Sequence, residues 1–314
     1  MTKTHTAFFD IIVVDWGTTN FRAALVGTDG KTKANIETSN GIQSVQDGAF
    51  ETVLMEAISP WLDAYGPLTV VALGMVTSRS GWIEVPYVTL PAAASELAAG
   101  TINQVLPNGS KLIFLPGITD MSGQPFPDVM RGEETQIVGH GLDHDAIVVL
   151  PGTHSKWAKV KDKKIEGFQT FVTGEIFALL SQHSFIAKTG MHAQTNAPNW
   201  SAFDKGVVVA QNGEGGENPF LSVLFSARTG MLANELKPAD MLDYVSGLLI
   251  GYEFREALNC SRFSGVSELF VVGNDGLNDR YIRTANALSL DVYDAGAETA
   301  IQGVRDILSS VTTE

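Results

Sequence analysis

The hydrophobic residues of this chain fall into short runs and into stretches with helical spacing. A run of four apolar residues over 11–14 predicts a buried strand, and a second strand is predicted over 21–26, after a polar turn. Residues 47–65 carry apolar side chains at the three- and four-residue spacing of a helix, and a strand is predicted over 68–73. Strands that alternate with helices in this way predict an α/β protein.

The same alternation continues to the end of the chain. A helix is predicted from Arg131 to His140, and another runs from Thr173, whose hydroxyl is the expected N-cap, to residue 186. Residues 74–82 and 191–201 are expected to be loops. The remaining predictions are strands at 33–38, 111–115, 268–272 and 290–293, and helices at 203–211, 221–228, 238–258, 277–288 and 297–308.

The plan of the opening segment recurs from residue 146 onward. Both segments read as an apolar strand, a Gly-Thr turn, a second strand, a polar hairpin turn and a third strand. Aligning Gly152 with Gly17 places Leu150 on Asp15 and His154 on Thr19. The repeat predicts two similar half-domains that face one another.

The composition restricts the partners of the protein. Its 314 residues are 44% hydrophobic and 18% charged, as in ordinary globular proteins long enough for two domains. A net charge of −14 disfavours nucleic acid and anionic membranes, because both would repel the protein. The single cysteine, Cys260, excludes an intrachain disulfide, and no signal peptide or membrane span is evident. We expect a cytoplasmic protein, and the sequence leaves the oligomeric state open, a homodimer included.

The turn after the first strand has the composition of a phosphate site. Asp15 ends the strand, where a carboxylate can hold a hydrated divalent cation. Gly17 lets the backbone approach an anion, and hydrogen-bond donors follow in Thr18, Thr19 and Asn20. Neither the P-loop motif nor the Rossmann motif occurs, so the expected phosphate loop is a hairpin turn. An ordinary hairpin with an acid near its turn is the alternative.

Three segments, DWGTTNFR, LPGTHSKW and VVGNDGL, resemble the phosphate 1, phosphate 2 and adenosine segments of the sugar kinase, Hsp70 and actin superfamily. More narrowly, GMVTSRSGWIEVPYVTLPA, DVMRGEETQ and LPGTHSKWAKV together resemble the 2-dehydro-3-deoxygalactonokinase family, over essentially the whole chain. The resemblance implies that ATP, with Mg²⁺, phosphorylates the 6-hydroxyl of 2-dehydro-3-deoxy-D-galactonate in galactonate catabolism. The products would be 2-dehydro-3-deoxy-6-phosphogalactonate and ADP.

The resemblance also implies a fold and a metal site. Two ribonuclease H-like half-domains, each a mixed sheet flanked by helices, should have the active-site cleft between them. Residues 1–140 would carry the phosphate 1 loop and the acceptor site and be joined by the closing helix at 297–314, and residues 141–296 would carry phosphate 2 and adenosine. Many superfamily members have a second acid where this chain has Leu150 and Pro151. Mg²⁺ should therefore be bound mainly by Asp15, the nucleotide phosphates and water.

Phosphoryl transfer requires positioning and neutralisation of charge. In the second turn, Gly152 and Thr153 are expected to bind phosphate, and Lys156 can neutralise charge on the transferring group. His154 could contact phosphate or only satisfy hydrogen bonds within the turn.

A general base must lie where the acceptor hydroxyl arrives. Glu133 and Glu134 occupy such a point at the start of a predicted helix, and Arg131 can orient a carboxylate or bind the substrate. The alternative is that both acids only complement the helix dipole. The sequence does not distinguish the two glutamates.

Acceptor and adenine contacts are expected after two further strands. Open α/β sheets bind ligands at the edge where the strand over 68–73 ends, and four candidates follow it: Ser78, Arg79, Gly81 and Trp82. Arg79 suits the carboxylate of a sugar acid, with an ordinary surface arginine as the alternative. Gly273 and Gly276 would let adenine lie close to the backbone, or would serve a turn between strand and helix.

Two other functions remain open at this point. One is a kinase for another sugar or sugar acid, and the other is an ATP-driven switch of the Hsp70 or actin type. The chain lacks room for a separate peptide-binding domain, which disfavours the switch. ATP turnover that depends on a sugar acceptor would distinguish a kinase from a switch.

Overall fold

The computed structural model describes residues 10–190, 197–211, 219–273, 275–296 and 299–311. They form two compact units. Unit 1 contains the described residues up to 143, residues 162–166 and those from 299 onward. Unit 2 contains residues 144–161 and the described residues between 167 and 296.

Strands and helices alternate along the chain, as the hydrophobic pattern predicts. The strands are β1 (Ile11–Trp16), β2 (Phe21–Val26), β3 (Thr32–Thr38), β4 (Thr69–Leu73), β5 (Val88–Thr89), β6 (Ile102–Val105), β7 (Lys111–Phe114), β8 (Ile118–Asp120), β9 (Asp128–Met130), β10 (Ala146–Leu150), β11 (Ser155–Lys161), β12 (Lys164–Phe171), β13 (Glu268–Val271) and β14 (Asp291–Asp294). The helices are α1 (Phe50–Tyr65), α2 (Ala94–Ala99), α3 (Glu133–His140), α4 (Thr173–His183), α5 (Phe185–Gly190), α6 (Trp200–Gln211), α7 (Phe220–Leu224), α8 (Ser226–Leu232), α9 (Met241–Asn259), α10 (Asp275–Ala287) and α11 (Thr299–Val311).

The main sheet of unit 1 has the order β3-β2-β1-β4-β7-β6. β1 and β2 form the predicted antiparallel hairpin, in a register that pairs Asp15 with Arg22. β4 runs parallel to β1 on its other side and pairs Leu73 with Asp15, and β7 runs parallel to β4. Because parallel strands end at the same edge of a sheet, the segments that follow β1 and β4 emerge side by side.

The core of unit 1 explains why its opening residues form a strand and α1 a helix. Ile12 and Val14 lie on one face of β1 and are fully buried, and Leu54 and Ile58 of α1 belong to the same apolar cluster. Burying one such side chain contributes roughly 1.5–3 kcal/mol. The apolar residues that have helical spacing over 47–65 thus form the buried face of α1.

The closing helix α11 belongs to unit 1. It packs against α3 and α2 and buries Val304 and Ile307. Residues 297 and 298, where this helix was predicted to start, lie outside the described residues. The contact supports α3, whose first residue is Glu133.

Unit 2 repeats the opening plan in a sheet of order β12-β11-β10-β13-β14. β10 and β11 form an antiparallel hairpin that pairs Leu150 with Lys156, and β13 runs parallel to β10. Helices α6 and α9 pack together beside this sheet, and α9 is buried along most of its length. The predicted second strand–turn–strand segment is therefore present.

Several predicted boundaries need correction. The N-cap of α4 is Val172, one residue before the predicted Thr173, and the Thr173 hydroxyl bonds the carboxylate of Glu253. Ser184 separates α4 from α5 within the helix predicted to reach 186, and the helix predicted over 221–228 is divided into α7 and α8. The helix expected from Pro238 opens as a 3₁₀ turn, and most of the loop predicted over 191–201 lies outside the described residues.

Several elements of the structure were not predicted from the sequence. They are α2, β5, β6, β8 and β9, and β5, β8 and β9 form a separate three-stranded sheet. Within the described ranges, no helix combines the length and apolarity that crossing a membrane requires.

Candidate active site

Asp15 lies at the carboxyl end of β1, where two other segments of unit 1 approach it. β4 ends next to it, and a Cβ added at Gly74 would lie 3.0 Å from Asp15 Oδ1. A Cβ added at Gly132 would lie 3.5 Å from the Gly74 Cα, so the start of α3 reaches the same region. Glu133 is the first residue of α3. The fold therefore brings two predicted acids, Asp15 and Glu133, to one edge of the sheet.

The electrostatic environment of Asp15 favours a bound cation. The side chain lies partly buried at the strand end, and this partial burial raises the pKa of its carboxyl; Arg22 opposes the rise from 3.9 Å, and the charge of Glu133 adds to it. Arg22 also forms an ion pair with Glu37, whose carboxylate lies 2.8 Å from Arg22 Nε. A divalent cation would stabilise the ionised form of Asp15 beside Glu133.

Hydrated Mg²⁺ fits these groups. The ion prefers oxygen ligands and retains several waters, so one or two carboxylates are enough to hold it. The Asp15 side chain is 45% exposed, which leaves room for that water. In the part of the chain that the structure describes, no three His, Cys, Asp or Glu residues are grouped as metal ligands. The donor set agrees with a metal held by Asp15 and water, and that assignment stays a prediction.

In the first turn, residues 17–20, three of the four backbone N–H groups donate to no described residue. Gly17 N–H closes the turn by donating to Asn20 O at 2.9 Å. The carbonyl oxygens of Gly17, Thr18 and Thr19 accept bonds of 3.0, 3.2 and 3.1 Å from the amides of residues 41–43. Thr18, Thr19 and Asn20 are exposed, and their N–H groups donate to no other described residue. This arrangement leaves three donors available to an anion.

Gly41 makes this arrangement possible. A Cβ at Gly41 would overlap the Thr18 carbonyl oxygen, so only glycine allows the two backbones to pair here. The indole N–H of Trp16 donates to Asn40 O at 2.9 Å and fixes the same segment from β1. No motif indicated Gly41, which sequence reasoning missed.

The second turn, residues 151–154 of unit 2, is held by the start of α4. Glu175 N–H donates to Thr153 O at 2.9 Å. A Cβ at Gly174 would overlap the Gly152 carbonyl oxygen, whereas a Cβ at Gly152 would meet nothing within 4 Å. The close packing therefore depends on Gly174, which was not predicted. The predicted residue, Gly152, faces open space that a phosphate could occupy.

Lys156 and His154 have local partners at the second turn. His154 Nε2 lies 2.7 Å from Glu175 Oε2, so the ring contacts an acid of its own unit. Lys156 is 4% exposed and its Nζ donates to His154 O at 3.1 Å. Its ammonium group therefore contacts the backbone of the turn, and its predicted role in neutralising the transferring group stays a prediction.

The two glutamates at the start of α3 differ in their surroundings. Glu134 is 1% exposed, its Oε2 accepts the Gly132 N–H at 2.7 Å, and its Oε1 accepts the Thr135 hydroxyl at 3.1 Å. Burial raises the pKa of Glu134 to about 8, and the charge of Glu133 adds to the rise. Glu133 is half-buried and its Oε2 accepts the Arg131 N–H at 3.1 Å. Glu133 is therefore better placed than Glu134 to receive a proton from a substrate.

Arg131 is fixed by neutral groups. Its Nη1 donates to Thr77 Oγ1 at 2.8 Å, its Nη2 donates to Val85 O at 2.9 Å, and its guanidinium lies 4.2 Å from the centre of the Tyr87 ring. The buried Nε has no hydrogen-bond partner among the described residues. Arg79, the other predicted arginine, is exposed. The guanidinium of Arg131 is thus held in a defined position, whereas that of Arg79 is carried by a long side chain at the surface.

Ser78, Gly81 and Trp82 shape the loop after β4. The Trp82 ring packs in the core of unit 1, 6.3 Å from the Phe50 ring centre and 5.4 Å from that of Phe114. Ser78 is 8% exposed and its hydroxyl donates to a carbonyl of the same loop at 2.7 Å. The Gly81 N–H donates to Ser78 O at 2.9 Å. These contacts are structural, and the contact predicted between the three residues and an acceptor stays a prediction.

Gly273 follows β13 in the predicted adenosine segment, and Asn278 of α10 holds it. Asn278 is 1% exposed and its Nδ2 donates to Gly273 O at 3.2 Å and to Asp294 Oδ1 at 3.0 Å. A Cβ at Gly273 would lie 2.7 Å from Asn278 Oδ1, whereas one at Gly276 would meet nothing within 4 Å. Gly273 therefore allows Asn278 to pack closely against the backbone, whereas the space beside the Gly276 Cα is open. Asn274, between them, lies outside the described residues.

Comparison with known proteins identifies the family of this chain. The sequence model of the 2-keto-3-deoxy-galactonokinase family matches residues 15–307. A Rhizobium meliloti (strain 1021) protein named as a probable 2-dehydro-3-deoxygalactonokinase is 34% identical over 294 residues, 92% of this chain and 93% of its own. The Escherichia coli (strain K12) 2-dehydro-3-deoxygalactonokinase is 32% identical over 302 residues, 96% of this chain and 98% of its own. This chain belongs to the 2-keto-3-deoxy-galactonokinase family.

Solved structures agree with membership of the 2-keto-3-deoxy-galactonokinase family. A crystal structure of a Sinorhizobium meliloti protein described by the same enzyme name matches with a TM-score of 0.85 and 31% identity, over 97% of this chain and 100% of that one. The activator of 2-hydroxyisocaproyl-CoA dehydratase from Clostridium difficile, with bound ADPNP, matches with a TM-score of 0.50 and 11% identity over 96% and 95% of the two chains. That second likeness concerns the fold alone. The predicted α/β fold with mixed sheets flanked by helices is confirmed.

Three residues that sequence reasoning missed in this 2-keto-3-deoxy-galactonokinase family member, Gly41, Gly174 and Asn278, each contact a predicted residue from a different element of the same unit. A fourth, Glu253, accepts hydrogen bonds from Ser155 and Trp157 of β11 and from Tyr281 of α10. Only Glu253 gave a signal, because it is an acid inside the otherwise apolar run GLLIGYEF of α9. The others depend on backbone contacts that a single sequence does not reveal.

Proposed function

We propose that this chain transfers the γ-phosphoryl group of ATP to the 6-hydroxyl of 2-dehydro-3-deoxygalactonate. The products are 2-dehydro-3-deoxy-6-phosphogalactonate and ADP. The observation that carries the proposal is the meeting of Asp15 and Glu133 at the end of β1, beside a turn with available amide donors. Family membership and the names of the relatives support the choice of acceptor.

Asp15 and the first turn handle the charge of the transferring group. Asp15 would hold Mg²⁺ through water, and the ion, when bound, neutralises the charge of the phosphate oxygens. The amides of Thr18, Thr19 and Asn20 donate to phosphate oxygens from fixed positions, so no reorganisation is needed as charge develops.

Glu133 takes the proton of the acceptor hydroxyl. As the 6-oxygen bonds to the γ-phosphorus, the bond to the ADP oxygen breaks and the hydroxyl proton passes to the Glu133 carboxylate. Glu134 holds the Gly132 N–H and so keeps the turn before α3 in place.

The acceptor carboxylate requires a basic partner, because a net charge of −14 repels it at long range. Arg131 is the favoured partner, since its guanidinium is already oriented and its hydrogen-bond partners are neutral. Arg79 is exposed and can close on the same carboxylate. Ser78, Gly81 and Trp82 shape the loop that carries Arg79.

The second turn and the adenosine segment bind the nucleotide. Gly152 and Thr153 present backbone groups to phosphate, Lys156 supplies charge from below, and His154 borders the turn. Gly273 and Gly276 are proposed to lie against adenine. An enzyme that draws on cellular ATP is expected in the cytoplasm, which the single cysteine also favours.

An acceptor panel tests the proposal. Purified protein with ATP and Mg²⁺ is given 2-dehydro-3-deoxygalactonate, galactonate, galactose or glucose, and ADP release is followed in a coupled assay. We expect turnover to depend on the acceptor and to be highest with 2-dehydro-3-deoxygalactonate. Faster turnover with a neutral hexose would refute this acceptor, and ADP release without any acceptor at the same rate would refute the kinase.

A further inference from the structure

A buried carboxylate in unit 2 collects several hydrogen-bond donors. Glu253 of α9 is 2% exposed. Its Oε1 accepts the Ser155 hydroxyl at 2.7 Å and the Trp157 indole N–H at 2.8 Å, and its Oε2 accepts the Tyr281 hydroxyl at 2.7 Å. The Thr173 hydroxyl also bonds this carboxylate. Both carboxylate oxygens therefore accept hydrogen bonds from neutral donors.

The donors come from the segments that flank the second turn. Ser155 is the first residue of β11 and follows the turn directly. Thr173 opens α4 and precedes Gly174, whose Cα packs on the Gly152 carbonyl oxygen. Glu253 thus holds both the exit of the turn and the helix end on which the turn rests.

The same carboxylate reaches the adenosine segment. Tyr281 lies on α10, and Asn278 of that helix donates to Gly273 O at 3.2 Å. The position of α10 therefore sets the position of Gly273. Through Ser155, Thr173 and Tyr281, Glu253 fixes the relative positions of two segments to which we assign nucleotide binding.

Stability alone does not account for this residue. Removing a carboxylate from water is costly, and well-packed apolar residues often replace buried polar clusters without loss of stability. The donors orient the carboxylate in a way that an apolar side chain could not reproduce. Its hydrogen bonds connect it to three different elements, so it can set how those elements are placed.

We propose that Glu253 is a positioning residue for ATP binding, which acts through Ser155 and Thr173 on the second turn and through Tyr281 on the adenosine segment. The inference rests on the proposed function, because it takes both segments as parts of the nucleotide site. It assigns to Glu253 no contact with ATP or with the acceptor.

The test compares Glu253→Gln with wild type. Glutamine keeps the shape of glutamate and one accepting oxygen, but its amide nitrogen only donates, so the donors at one of the two positions lose their partner. We expect the KM for ATP and the Kd of a non-hydrolysable ATP analogue to rise about 10- to 100-fold, the loss typical of a charge-assisted hydrogen bond. The acceptor KM should change less than about threefold.

Tyr244→Phe is the matched control. Tyr244 lies on the same helix, is 2% exposed, and its hydroxyl lies 2.5 Å from that of Ser226, in a helical cluster that contains none of the proposed site residues. This variant also deletes one buried hydroxyl contact, and we expect its ATP KM to stay at the wild-type value. Equal increases in ATP KM in the control and in Glu253→Gln would overturn the proposal.

Tyr281→Phe provides a milder variant if Glu253→Gln does not fold. It removes one donor and leaves the carboxylate in place, so the ATP KM should rise in the same direction by a smaller factor. An unchanged ATP KM and analogue Kd in Tyr281→Phe, or a rise in acceptor KM as large as that in ATP KM, would overturn the proposal. Analogue binding is measured without acceptor, so the comparison of Kd values remains valid even if the acceptor assignment is wrong. Wild-type protein that does not bind the ATP analogue would refute both the proposed function and the role of Glu253.

Discussion

Asp15 lies at a strand end, and partial burial together with the charge of Glu133 raises the pKa of its carboxyl, against the opposing effect of Arg22. A cation opposes that rise, so the metal and the acid should depend on one another. The sequence indicated this residue because the predicted strand ends at an acid that is followed by a glycine and two hydroxyl residues, the composition of a phosphate site. It could not indicate that Glu133 would lie close enough to affect the Asp15 carboxyl, since that depends on how β4 and α3 pack.

Asp15→Asn should lower turnover at least ~10²-fold with little change in nucleotide affinity, because it removes the anchor of the metal and leaves the adenosine segment intact. Steady-state kinetics and binding of an ATP analogue measure the two effects. Asp10→Asn is the control, since Asp10 lies at the other end of β1 and pairs with Lys33 at 2.9 Å. Near-normal turnover in Asp15→Asn would remove this residue from the mechanism.

The assignment of the base to Glu133 is testable with two isosteric substitutions. Glu133→Gln should lower turnover about 10²- to 10⁴-fold, the range for a lost general base, with little change in acceptor KM. Glu134→Gln should keep most of the activity, because the buried Glu134 carboxyl is already largely protonated near neutral pH. The reverse order of effects would move the proton transfer to Glu134.

Glu134 should also make stability depend on pH. Its pKa is raised by burial to about 8 in the folded protein, so the folded state binds more protons than the unfolded state between the ordinary pKa of 4.5 and about 8. The stabilising contribution is complete below pH 4.5 and is lost as pH rises through 8. The slope is at most about 1.4 kcal/mol per pH unit.

Glu134→Gln should remove this slope, because glutamine does not titrate. Urea denaturation at several pH values between 5 and 9 gives the free energy of unfolding for both proteins. We expect the variant to gain stability relative to wild type as pH rises. Parallel curves would show that Glu134 does not titrate as its burial indicates.

At the scale of elements, the two hairpin turns illustrate what a single sequence reveals. The apolar runs and the polar turns between them predicted β1–β2 and β10–β11, because strand hairpins are local in sequence. The glycines that hold the turns, Gly41 and Gly174, could not be predicted, because their partners are backbone atoms distant in sequence. The small sheet of β5, β8 and β9 was missed for a related reason, since strands of two or three residues carry too little pattern.

Gly174→Ala should weaken both folding and nucleotide binding. Alanine normally favours a helix over glycine by up to about 1 kcal/mol, but here its Cβ would overlap the Gly152 carbonyl oxygen and displace the turn. We expect a loss of about 1–3 kcal/mol in the free energy of unfolding and a higher KM for ATP.

Gly152→Ala is the matched comparison at the same turn. Its Cβ would meet no described atom within 4 Å, so stability should stay within about 0.5 kcal/mol of wild type. If a phosphate occupies that space, the KM for ATP should rise even though the fold is unaffected. Wild-type ATP KM in this variant would show that no phosphate approaches Gly152.

At the scale of the whole molecule, the net charge and the local groups have opposite effects on the binding of anionic substrates. A net charge of −14 disfavours two anionic substrates, ATP and a sugar acid. Under the proposed function, the amides of the first turn, the Lys156 ammonium group and the guanidinium of Arg131 would provide the short-range compensation. The net charge could be read from the sequence, but the positions of these donors required the fold.

The most direct test of phosphoryl transfer at the Asp15 site is the position of phosphate in the product. Protein, Mg²⁺, ATP and 2-dehydro-3-deoxygalactonate are incubated, and the product is analysed by phosphorus–proton correlation NMR. We expect one new phosphomonoester coupled to the protons on carbon 6, formed by wild type and at least ~10²-fold more slowly by Asp15→Asn. Phosphate on another carbon, release of inorganic phosphate only, or equal rates for the two proteins would contradict the proposed reaction.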